Sequence, residues 1–352
     1  MIMIKVLVVD DSAFSRQTIK KMLESDPDIV VIGIASDGID AMAKTLRLKP
    51  DLITLDFEMP EMDGFSFLRW LIKEKPTPVI MVSSYSDTKT VFKALELGAV
   101  DFIAKPSRRA SLELRNIEKD LLTKVKGITK DLNIDVLGRN IRLFADTEET
   151  PHKTMPSKSE IEVVAIGAST GGPPAIQIIL TKLPADFPPV LISQHMPKGF
   201  TKPLAERLDS LSKLKIKEAE NGDEVEKGTV LICPGGYHMT LKARHERASI
   251  VLKEATYEDR YTPSVDTMMV STAEIYQQNT MGVVLTGMGN DGKKGMLEIK
   301  SKGGYTIVES EETSVVFGMP AEVINAGAAD KVVPLTRIAE EMIRAVEKKP
   351  ER

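Results

Sequence analysis

The chain has 352 residues, a formal net charge of −4 and a single cysteine. This length exceeds what one hydrophobic core comfortably fills, so it predicts two domains, and the near-neutral charge without a long basic block disfavours a nucleic-acid-binding protein. One cysteine excludes an internal disulfide, and neither a secretory signal nor an apolar run of about 20 residues is found, which predicts a cytoplasmic protein that does not insert into a membrane.

Residues 1–106 repeat one pattern, in which a short apolar run is followed by a turn and a helical stretch. The apolar residues are continuous rather than alternating, which is typical of parallel strands covered on both faces. Strands of this kind interleaved with helices predict a doubly wound α/β domain. The strand candidates are Val6–Val9, Val30–Ala35, Leu52–Leu55, Val79–Val82 and Asp101–Ile103.

A predicted helix near Leu112–Val125 closes this domain, and the polar residues after it, with Pro151 and Pro156, are typical of a linker. From about Glu160 a second α/β alternation begins, which predicts a second doubly wound domain with a Rossmann-like, mostly parallel sheet. The predicted organisation is a first domain at 1–125, a linker at 126–159 and a second domain at 160–352.

The second domain combines apolar strand candidates with helical stretches and one hairpin. Helical patterns include Lys202–Leu211 and Asp291–Lys302, and a β-hairpin is predicted around Tyr237–Leu241 and Ser249–Leu252. The charged run Lys213–Glu226 is predicted to be a solvated face. The strand candidates are Glu162–Ile166, Val190–Ser193, Thr229–Ile232, Met281–Leu285 and Thr306–Val308.

Charged and polar residues follow several predicted strands of the first domain: Asp10, Asp11, Asp56, Ser83 and Lys105. The carboxyl ends of parallel strands are where α/β sheets bind ligands. Three converging carboxylates repel one another, and a hard cation such as Mg²⁺ offsets that repulsion. Lys105 and Ser83 could contact a phosphoryl group on Asp56, so the pocket suits phosphoryl transfer to a carboxylate. The alternative is that each acidic residue only forms a turn or caps a helix.

These residues lie in motifs that resemble the receiver domain of bacterial two-component response regulators, over about residues 3–125. The resemblance implies a flavodoxin-like fold and a histidine kinase as phosphodonor, with Asp56 as phosphoacceptor. It also implies that Asp11 and Asp56 bind Mg²⁺ with Asp10 nearby and the backbone carbonyl of Glu58, and that Phe102 is the switching aromatic. The motifs are Val6-Leu7-Val8-Val9-Asp10-Asp11-Ser12, Leu55-Asp56-Phe57-Glu58-Met59-Pro60, Asp63-Gly64, Val82-Ser83-Ser84 and Lys105-Pro106.

The second domain carries a candidate nucleophile, Ser169, in Gly167-Ala168-Ser169-Thr170-Gly171. This segment fits G-x-S-x-G between a predicted strand and a helical stretch, where glycines permit a tight turn and the helix N-terminus favours developing negative charge. The five-residue pattern is weak by itself. A glycine-rich turn of this kind also binds phosphate or simply closes a strand-to-helix connection.

His195 and Asp291 follow two further predicted strands, so parallel strands would bring them to the same edge of the sheet as Ser169. A serine hydroxyl needs an imidazole to take its proton, and a carboxylate to hold that imidazole. The order Ser, His, Asp differs from that of α/β-hydrolases, whose fold is therefore not assumed. One alternative is that His195 is only a surface or capping residue. Another is that Asp291 only caps the helix that follows it. In a third, Asn290 or Asp266 is the partner of the imidazole in place of Asp291.

The motifs around these residues look like the catalytic domain of the chemotaxis protein-glutamate methylesterases, over roughly residues 160–347. The resemblance implies that Ser169, His195 and Asp291 form a triad, with Thr170 and Met288 at the catalytic centre and no cofactor there. The motifs are Ala165-Ile166-Gly167-Ala168-Ser169-Thr170-Gly171-Gly172, Gln194-His195-Met196-Pro197, Pro234-Gly235-Gly236-Tyr237-His238-Met239, Pro263-Ser264-Val265-Asp266 and Thr286-Gly287-Met288-Gly289-Asn290-Asp291-Gly292.

In function, the resemblance implies hydrolysis of glutamate γ-methyl esters on the cytoplasmic helices of chemoreceptors, with release of methanol, and deamidation of receptor glutamines. We further hypothesise that the unphosphorylated receiver covers Ser169 and that phosphorylation of Asp56 loosens this contact, because a polar linker lets two domains separate. The alternative from another class is a noncatalytic response regulator whose glycine-rich turns bind a phosphorylated ligand or a protein. A DNA-binding regulator is disfavoured because no basic recognition helix follows residue 130.

Overall fold

The computed structural model of the chain describes residues 3–83, 88–105, 111–131, 160–244, 247–256 and 258–347. The chain divides into two compact units, Met1–Ala145 and Asp146–Arg352. Most of the predicted linker, residues 132–159, lies outside the described ranges. Within those ranges, no helix combines the length and the apolar character that crossing a membrane requires.

The first unit contains a parallel sheet with the strand order β2-β1-β3-β4-β5, so the predicted doubly wound, flavodoxin-like domain is confirmed. The strands are β1 Ile4–Val9, β2 Ile29–Ala35, β3 Leu52–Leu55, β4 Val79–Ser83 and β5 Asp101–Ala104. The helices are α1 Ala13–Leu23, α2 Gly38–Leu48, α3 Gly64–Glu74, α4 Thr88–Glu96 and α5 Ser111–Asp131. β1, which lies between β2 and β3 in the sheet, is buried along Val6–Val9. Asp10 and Asp11 therefore emerge directly from the core.

Helix α5 ends at Asp131 and so extends into the range 126–159 that the sequence assigned to the linker. Val125 and Ile128 are fully buried on one face of the helix. On its outer face, the Nζ atom of Lys126 lies 2.5 Å from Asp26 Oδ2, next to the start of β2. Apolar burial and an ion pair thus hold the last turns of α5 on the first unit, where polar composition alone predicted a tether.

The second unit contains a seven-stranded parallel sheet with the order β14-β13-β12-β6-β7-β9-β8 and a separate antiparallel hairpin, β10-β11, which confirms the predicted architecture. The strands are β6 Val163–Ala168, β7 Val190–Gln194, β8 Lys215–Glu218, β9 Thr229–Ile232, β10 Tyr237–Arg244, β11 Arg247–Glu254, β12 Thr280–Val284, β13 Tyr305–Glu309 and β14 Lys331–Val333. The helices are α6 Gly172–Leu180, α7 Thr201–Leu211, α8 Val265–Tyr276, α9 Lys293–Ser301, α10 Gly318–Asn325 and α11 Leu335–Glu347, with a 3₁₀ turn at Gln277–Asn279.

The two edge strands of this sheet, β8 and β14, were not predicted. In β8 only Ile216 is buried, and β14 begins with exposed residues, so neither strand shows a continuous apolar run. Short edge strands with charged side chains are a common protection against pairing with other chains. The run Lys213–Glu226, predicted to be a solvated face, therefore contains an edge strand within a largely polar surface.

The order of strands reverses at β6. From β6 the chain builds β7, β9 and β8 on one side of the sheet and later β12, β13 and β14 on the other. In open α/β sheets, such a reversal leaves a crevice beyond the carboxyl ends of the strands where ligands bind. Ser169 immediately follows β6 and thus lies at this crevice.

Candidate functional site

Ser169 lies in the tight turn between β6 and α6. Its backbone N–H donates to the carbonyl of Thr286 (3.1 Å), and its own carbonyl accepts from Gly172 N–H (2.8 Å). Gly171 has a φ of +78°, which glycine adopts without steric cost. Two prolines, Pro173 and Pro174, begin α6, and proline has no backbone N–H. This helix end therefore offers few N–H groups to a phosphate, which weakens the phosphate-binding alternative for the turn.

The loop after β12 approaches Ser169 closely, at Gly287. A Cβ atom built on Gly287 would lie 2.8 Å from the Cβ of Ser169 and 2.5 Å from the Sδ of Met319, so only glycine fits between them. The carbonyl of Gly287 accepts from the N–H groups of Gly318 (3.0 Å) and Met319 (2.8 Å). In the described part of the chain, the N–H of the next residue, Met288, donates to no hydrogen bond. A donor not used by the fold is therefore carried by the loop that contacts the serine.

His195 follows β7 and is paired with Asp291. Its backbone N–H donates to the carbonyl of Ala168, the last residue of β6 (3.0 Å), which places it beside the Ser169 turn. Its ring atom Nε2 lies 2.8 Å from Asp291 Oδ2. The usual serine triad joins the carboxylate to Nδ1. Here Nε2 faces the carboxylate, so Nδ1 is the ring nitrogen left for another partner.

Asp291 is 2% exposed and accepts hydrogen bonds from several donors besides His195. The backbone N–H groups of Val265 (2.7 Å) and Asp266 (2.8 Å) donate to it, and these groups begin α8. A helix N-terminus stabilises a negative charge at this position. Burial raises the pKa of Asp291, but the hydrogen bond from His195 and those from the α8 backbone outweigh it, so the pKa lies below its usual value. The carboxylate is therefore ionised at neutral pH.

The two alternative partners of the imidazole bind elsewhere. Asp266 Oδ1 accepts a hydrogen bond from the N–H of Gly295 in α9 (2.8 Å). Asn290 Oδ1 accepts from the hydroxyl of Tyr261 (3.1 Å). In the structure, Asp291 is thus the carboxylate beside His195, and it does not serve only as a cap for the helix that follows it.

Ser169 and His195 lie at the ends of neighbouring strands, but no hydrogen bond joins their side chains in the described part of the structure. Such hydrogen bonds are often long in enzymes without substrate and shorten when substrate binds. Thr170 is buried, and its carbonyl accepts from the hydroxyl of Thr286 (3.0 Å), which ties the serine turn to the β12 loop.

One residue of the site was missed by sequence reasoning. The ring of Tyr261 stacks on that of His195, with centroids 5.1 Å apart and planes 7° from parallel. Tyr261 lies two residues before the Pro263-Ser264-Val265-Asp266 motif, and this closeness is the signal that could have pointed to it.

The acidic cluster of the first unit forms as the sequence predicts. Asp10, Asp11 and Asp56 each place a carboxylate oxygen within 4.8 Å of the others. Lys105 Nζ donates to Asp56 Oδ2 (2.6 Å) and lies 3.6 Å from Asp10 Oδ2, which is buried and makes no hydrogen bond. An orphaned carboxylate oxygen among two other carboxylates is a suitable ligand for a hard cation, so the residues present fit Mg²⁺.

Burial, and to a smaller extent charge repulsion, raises the pKa values of the buried carboxyl groups in this cluster. Burial, followed by the nearby charge of Asp56, raises the pKa of Asp10 to about 6. Burial also raises the pKa of Asp56, against the opposing hydrogen bond from Lys105. Burial disfavours the Lys105 ammonium, but its hydrogen bond to Asp56 and the charge of Asp10 outweigh this and raise its pKa. Two buried carboxylates therefore share one lysine, whose single positive charge does not balance their two negative charges.

The three other predicted receiver residues lie in different elements of the first unit. Glu58 lies on the loop between β3 and α3. Phe102 is buried in β5, with Lys124 Nζ 5.3 Å from the centre of its ring. Ser83 ends β4, and its side chain lies outside the described part of the structure.

Comparisons with known proteins identify a family for each of the two units. Residues 164–342 match the family model described as CheB methylesterase, and residues 6–116 match the response regulator receiver domain. A protein of Geobacter sulfurreducens named protein-glutamate methylesterase/protein-glutamine glutaminase 3 is 49% identical over 360 residues, covering 97% of each chain. A Pyrococcus horikoshii protein named protein-glutamate methylesterase/protein-glutamine glutaminase is 44% identical over 347 residues, covering 98% of this chain and 94% of its own.

Among solved structures, the Thermotoga maritima CheB methylesterase catalytic domain is 47% identical with a TM-score of 0.52. The match covers 53% of this chain and 99% of that one. Full-length similarity and two matching family models agree in the order of the two units along the chain. The chain therefore belongs to the CheB methylesterase family, the protein-glutamate methylesterases/protein-glutamine glutaminases, and carries a response regulator receiver domain at its N-terminal end.

Proposed function

We propose that this chain hydrolyses glutamate γ-methyl esters on the cytoplasmic helices of chemoreceptors, deamidates receptor glutamines, and uses Ser169, His195 and Asp291 for both reactions. The observation that carries this proposal is the buried Asp291 carboxylate, held by the start of α8 and bonded to His195 Nε2 at 2.8 Å. Its ionised state stabilises the imidazolium that forms when His195 takes a proton. Ser169 lies beside this pair at the strand-order reversal, where the sheet leaves a crevice for substrate.

In the proposed reaction, the Ser169 hydroxyl attacks the ester carbonyl while Nδ1 of His195 accepts its proton. The oxyanion of the tetrahedral intermediate is stabilised by the backbone N–H of Met288 and by donors of the Ser169–Thr170 turn. Collapse of the intermediate breaks the bond to the methoxy oxygen, which takes the proton from His195 and leaves as methanol. Water then hydrolyses the acyl-enzyme with the same base and returns Ser169 to its free form. For glutamine the leaving group is ammonia.

We propose that the receiver domain controls this reaction through phosphorylation of Asp56 by a histidine kinase. The carboxylates of Asp10, Asp11 and Asp56 and the carbonyl of Glu58 would hold Mg²⁺, which would neutralise charge on the incoming phosphoryl group. The ammonium of Lys105, already 2.6 Å from Asp56, would contact a phosphate oxygen. Ser83 and Phe102 would report the new group to the rest of the receiver.

We further propose that the protein acts in the cytoplasm and that the unphosphorylated receiver inhibits its catalytic domain. Phosphorylation of the receiver would relieve this inhibition. The support is the division of the chain into two compact units, each with its own sheet and its own site. The receiver is proposed to end with α5, and the catalytic domain to begin at residue 160.

Methanol release from methyl-labelled chemoreceptors tests the proposed chemistry. Wild-type protein should release labelled methanol, and Ser169→Ala should lower the rate by several orders of magnitude. Ser301→Ala, an exposed serine at the end of α9, is the matched control and should keep the wild-type rate. Absence of methanol release from the wild type would favour the noncatalytic response regulator, whose glycine-rich turns bind a ligand or a protein. Full activity in Ser169→Ala would exclude Ser169 as the nucleophile.

A further inference from the structure

Tyr261 contacts both the imidazole of His195 and the loop after β12. Its ring stacks on His195, with centroids 5.1 Å apart and planes 7° from parallel. Its hydroxyl donates to Asn290 Oδ1 (3.1 Å) and accepts from Asn290 N–H (3.3 Å). Asn290 lies between Met288 and Asp291, so one side chain joins the imidazole to the loop that carries both residues.

The loop after β12 has a shape that admits this hydroxyl. A Cβ atom at Gly289 would lie 2.3 Å from the Tyr261 hydroxyl oxygen, so any larger residue would displace the tyrosine. Gly289 also has a φ of +89°, a conformation that other residues rarely adopt. The close approach of Tyr261 thus depends on two features of one glycine.

The hydrogen bond to Asp291 holds the imidazole only at Nε2. The plane of the ring can still tilt about that atom and move Nδ1. A second ring lying nearly parallel at stacking distance opposes such a tilt. The face of an aromatic ring also attracts a cation, so Tyr261 favours the imidazolium that forms during the reaction.

Three other charged groups lie near the imidazole or on the Tyr261 loop: Asp291, Arg260 and Asp259. Asp291 faces Nε2, and Arg260 lies over Tyr261, with its guanidinium carbon 5.0 Å from the ring centre. Asp259, on the same loop, lies 3.2 Å from Nε2 of His238. Because these contacts do not use the hydroxyl of Tyr261, Tyr261→Phe leaves this set of charges in place. Tyr261→Leu and Tyr261→Ala also remove the ring that Arg260 contacts.

We propose that Tyr261 is a positioning residue for His195: its ring holds the imidazole in the plane that keeps Nδ1 available to Ser169, and its hydroxyl keeps the Met288–Asp291 loop in place. This inference rests on the proposed serine mechanism and adds to it a residue that does not itself touch the reacting atoms. Ring and hydroxyl have separable roles, which allows a direct test.

The test uses the full chain with Tyr261→Phe, Tyr261→Leu and Tyr261→Ala, assayed for methanol release from methyl-labelled receptors. Tyr261→Phe keeps the stack and should keep kcat within about fivefold of wild type. Tyr261→Leu and Tyr261→Ala should lower kcat by 10- to 100-fold, on the order of the loss from a small misplacement of a catalytic group, with KM changed less than about threefold. In Tyr261→Leu, which covers the imidazole without an aromatic face, the acid limb of the kcat/KM profile should move to lower pH by about 0.5.

Controls separate this inference from the proposed function. Tyr305→Phe, which removes a tyrosine hydroxyl bonded to Glu341 (2.8 Å), should leave kcat and the pH profile unchanged. Equal kcat and equal pH profiles in wild type, Tyr261→Leu and Tyr261→Ala would overturn the positioning role while leaving the esterase intact. Absence of methanol release from the wild type, or unchanged release in Ser169→Ala, would instead overturn the proposed function. Reaction of Ser169 with an organophosphonate ester, followed by mass spectrometry, measures serine reactivity without any receptor.

Discussion

Asp291 accepts hydrogen bonds from the first turn of α8, which contains Asp266, and Asp266 accepts one from the first turn of α9, which begins two residues after Asp291. The donor to Asp266 is the backbone N–H of Gly295. Burial and the nearby charge of Asp291 raise the pKa of Asp266, although its hydrogen bond from Gly295 opposes them. This reciprocal capping holds Asp291 in addition to its hydrogen bond with His195.

The pair can be separated by isosteric substitution. Asp291→Asn removes the charge that stabilises the imidazolium and presents an amide NH₂ to donors, so kcat should fall by roughly 10³- to 10⁴-fold. Asp266→Asn keeps an oxygen for Gly295 N–H and should keep activity within about tenfold. Methanol release by both variants, with circular dichroism to verify folding, provides the comparison. A larger loss in Asp266→Asn would assign the imidazole's partner to Asp266.

Gly287 should tolerate no side chain. In Gly287→Ala the new methyl group would meet Ser169 Cβ at 2.8 Å and Met319 Sδ at 2.5 Å, so either the serine turn or α10 must shift. We expect a loss of at least 10-fold in kcat and a destabilisation of about 1–3 kcal/mol. Gly222→Ala is the control, because Gly222 has a positive φ but no atom within 4 Å of the position that its new methyl group would take. If Gly287→Ala were as active as Gly222→Ala, the close approach to Ser169 would have no functional weight.

Buried Glu309 should make the second unit less stable as pH rises. Burial raises the pKa of Glu309 from 4.5 to about 7, although Thr286 N–H (2.8 Å) and Thr313 Oγ1 (3.0 Å) both donate to it. Between these two values the folded state binds the proton more tightly than the unfolded state, so stability falls as pH rises and the loss is complete above about pH 7. The difference corresponds to about 3 kcal/mol.

Glu309→Gln removes this dependence, because a neutral amide can accept from Thr286 and donate to Thr313 Oγ1. Scanning calorimetry of the full chain from pH 5 to pH 8 should show wild type losing more stability than Glu309→Gln. The exposed Glu254→Gln serves as a matched control and should follow wild type. Parallel curves for wild type and Glu309→Gln would show that Glu309 does not titrate in this range.

Phosphate incorporation should depend on Asp56 and on a divalent cation. Asp56→Asn should take up no labelled phosphate from a small-molecule phosphodonor, and a chelator should prevent labelling of the wild type. Asp51, just before the other end of β3, bonds to Lys5 N–H (2.8 Å) and lies outside the cluster, so Asp51→Asn should label normally. Labelling of Asp56→Asn at the wild-type level would place the phosphoacceptor elsewhere.

A fragment that begins at Glu160 tests restraint by the receiver. If the unphosphorylated receiver inhibits, the fragment should release methanol several-fold faster than the unphosphorylated full chain. The phosphorylated full chain should approach the rate of the fragment. The Asp56→Asn full chain is the control and should keep the low rate under phosphorylating conditions. A fragment no faster than the unphosphorylated full chain would exclude occlusion of Ser169.

The sequence predicted the strands of both sheets well where the strands are central. β3 and β9 were predicted at their observed bounds, and the other central strands were placed within two residues at each end, because strands buried on both faces carry continuous apolar runs. β8 and β14 were missed because they are largely exposed and lack a continuous apolar run, whereas the edge strands β2 and β5 of the first sheet carry one. The end of α5 was placed too early because its last turns are stabilised by packing of Ile128 and by Lys126 rather than by composition.

By itself, the sequence determined which residues follow each strand, and thus the candidates Asp56, Ser169 and His195, because parallel topology brings strand ends to one edge. It left Asp266, Asn290 and Asp291 as possible partners for the imidazole, since each has a side-chain oxygen that can accept a hydrogen bond. Only the tertiary structure decided among them, because the choice depends on which helix N-terminus faces which carboxylate. The use of Nε2 and the stacking of Tyr261 were likewise decided in three dimensions, since they arise from contacts between segments far apart in the chain.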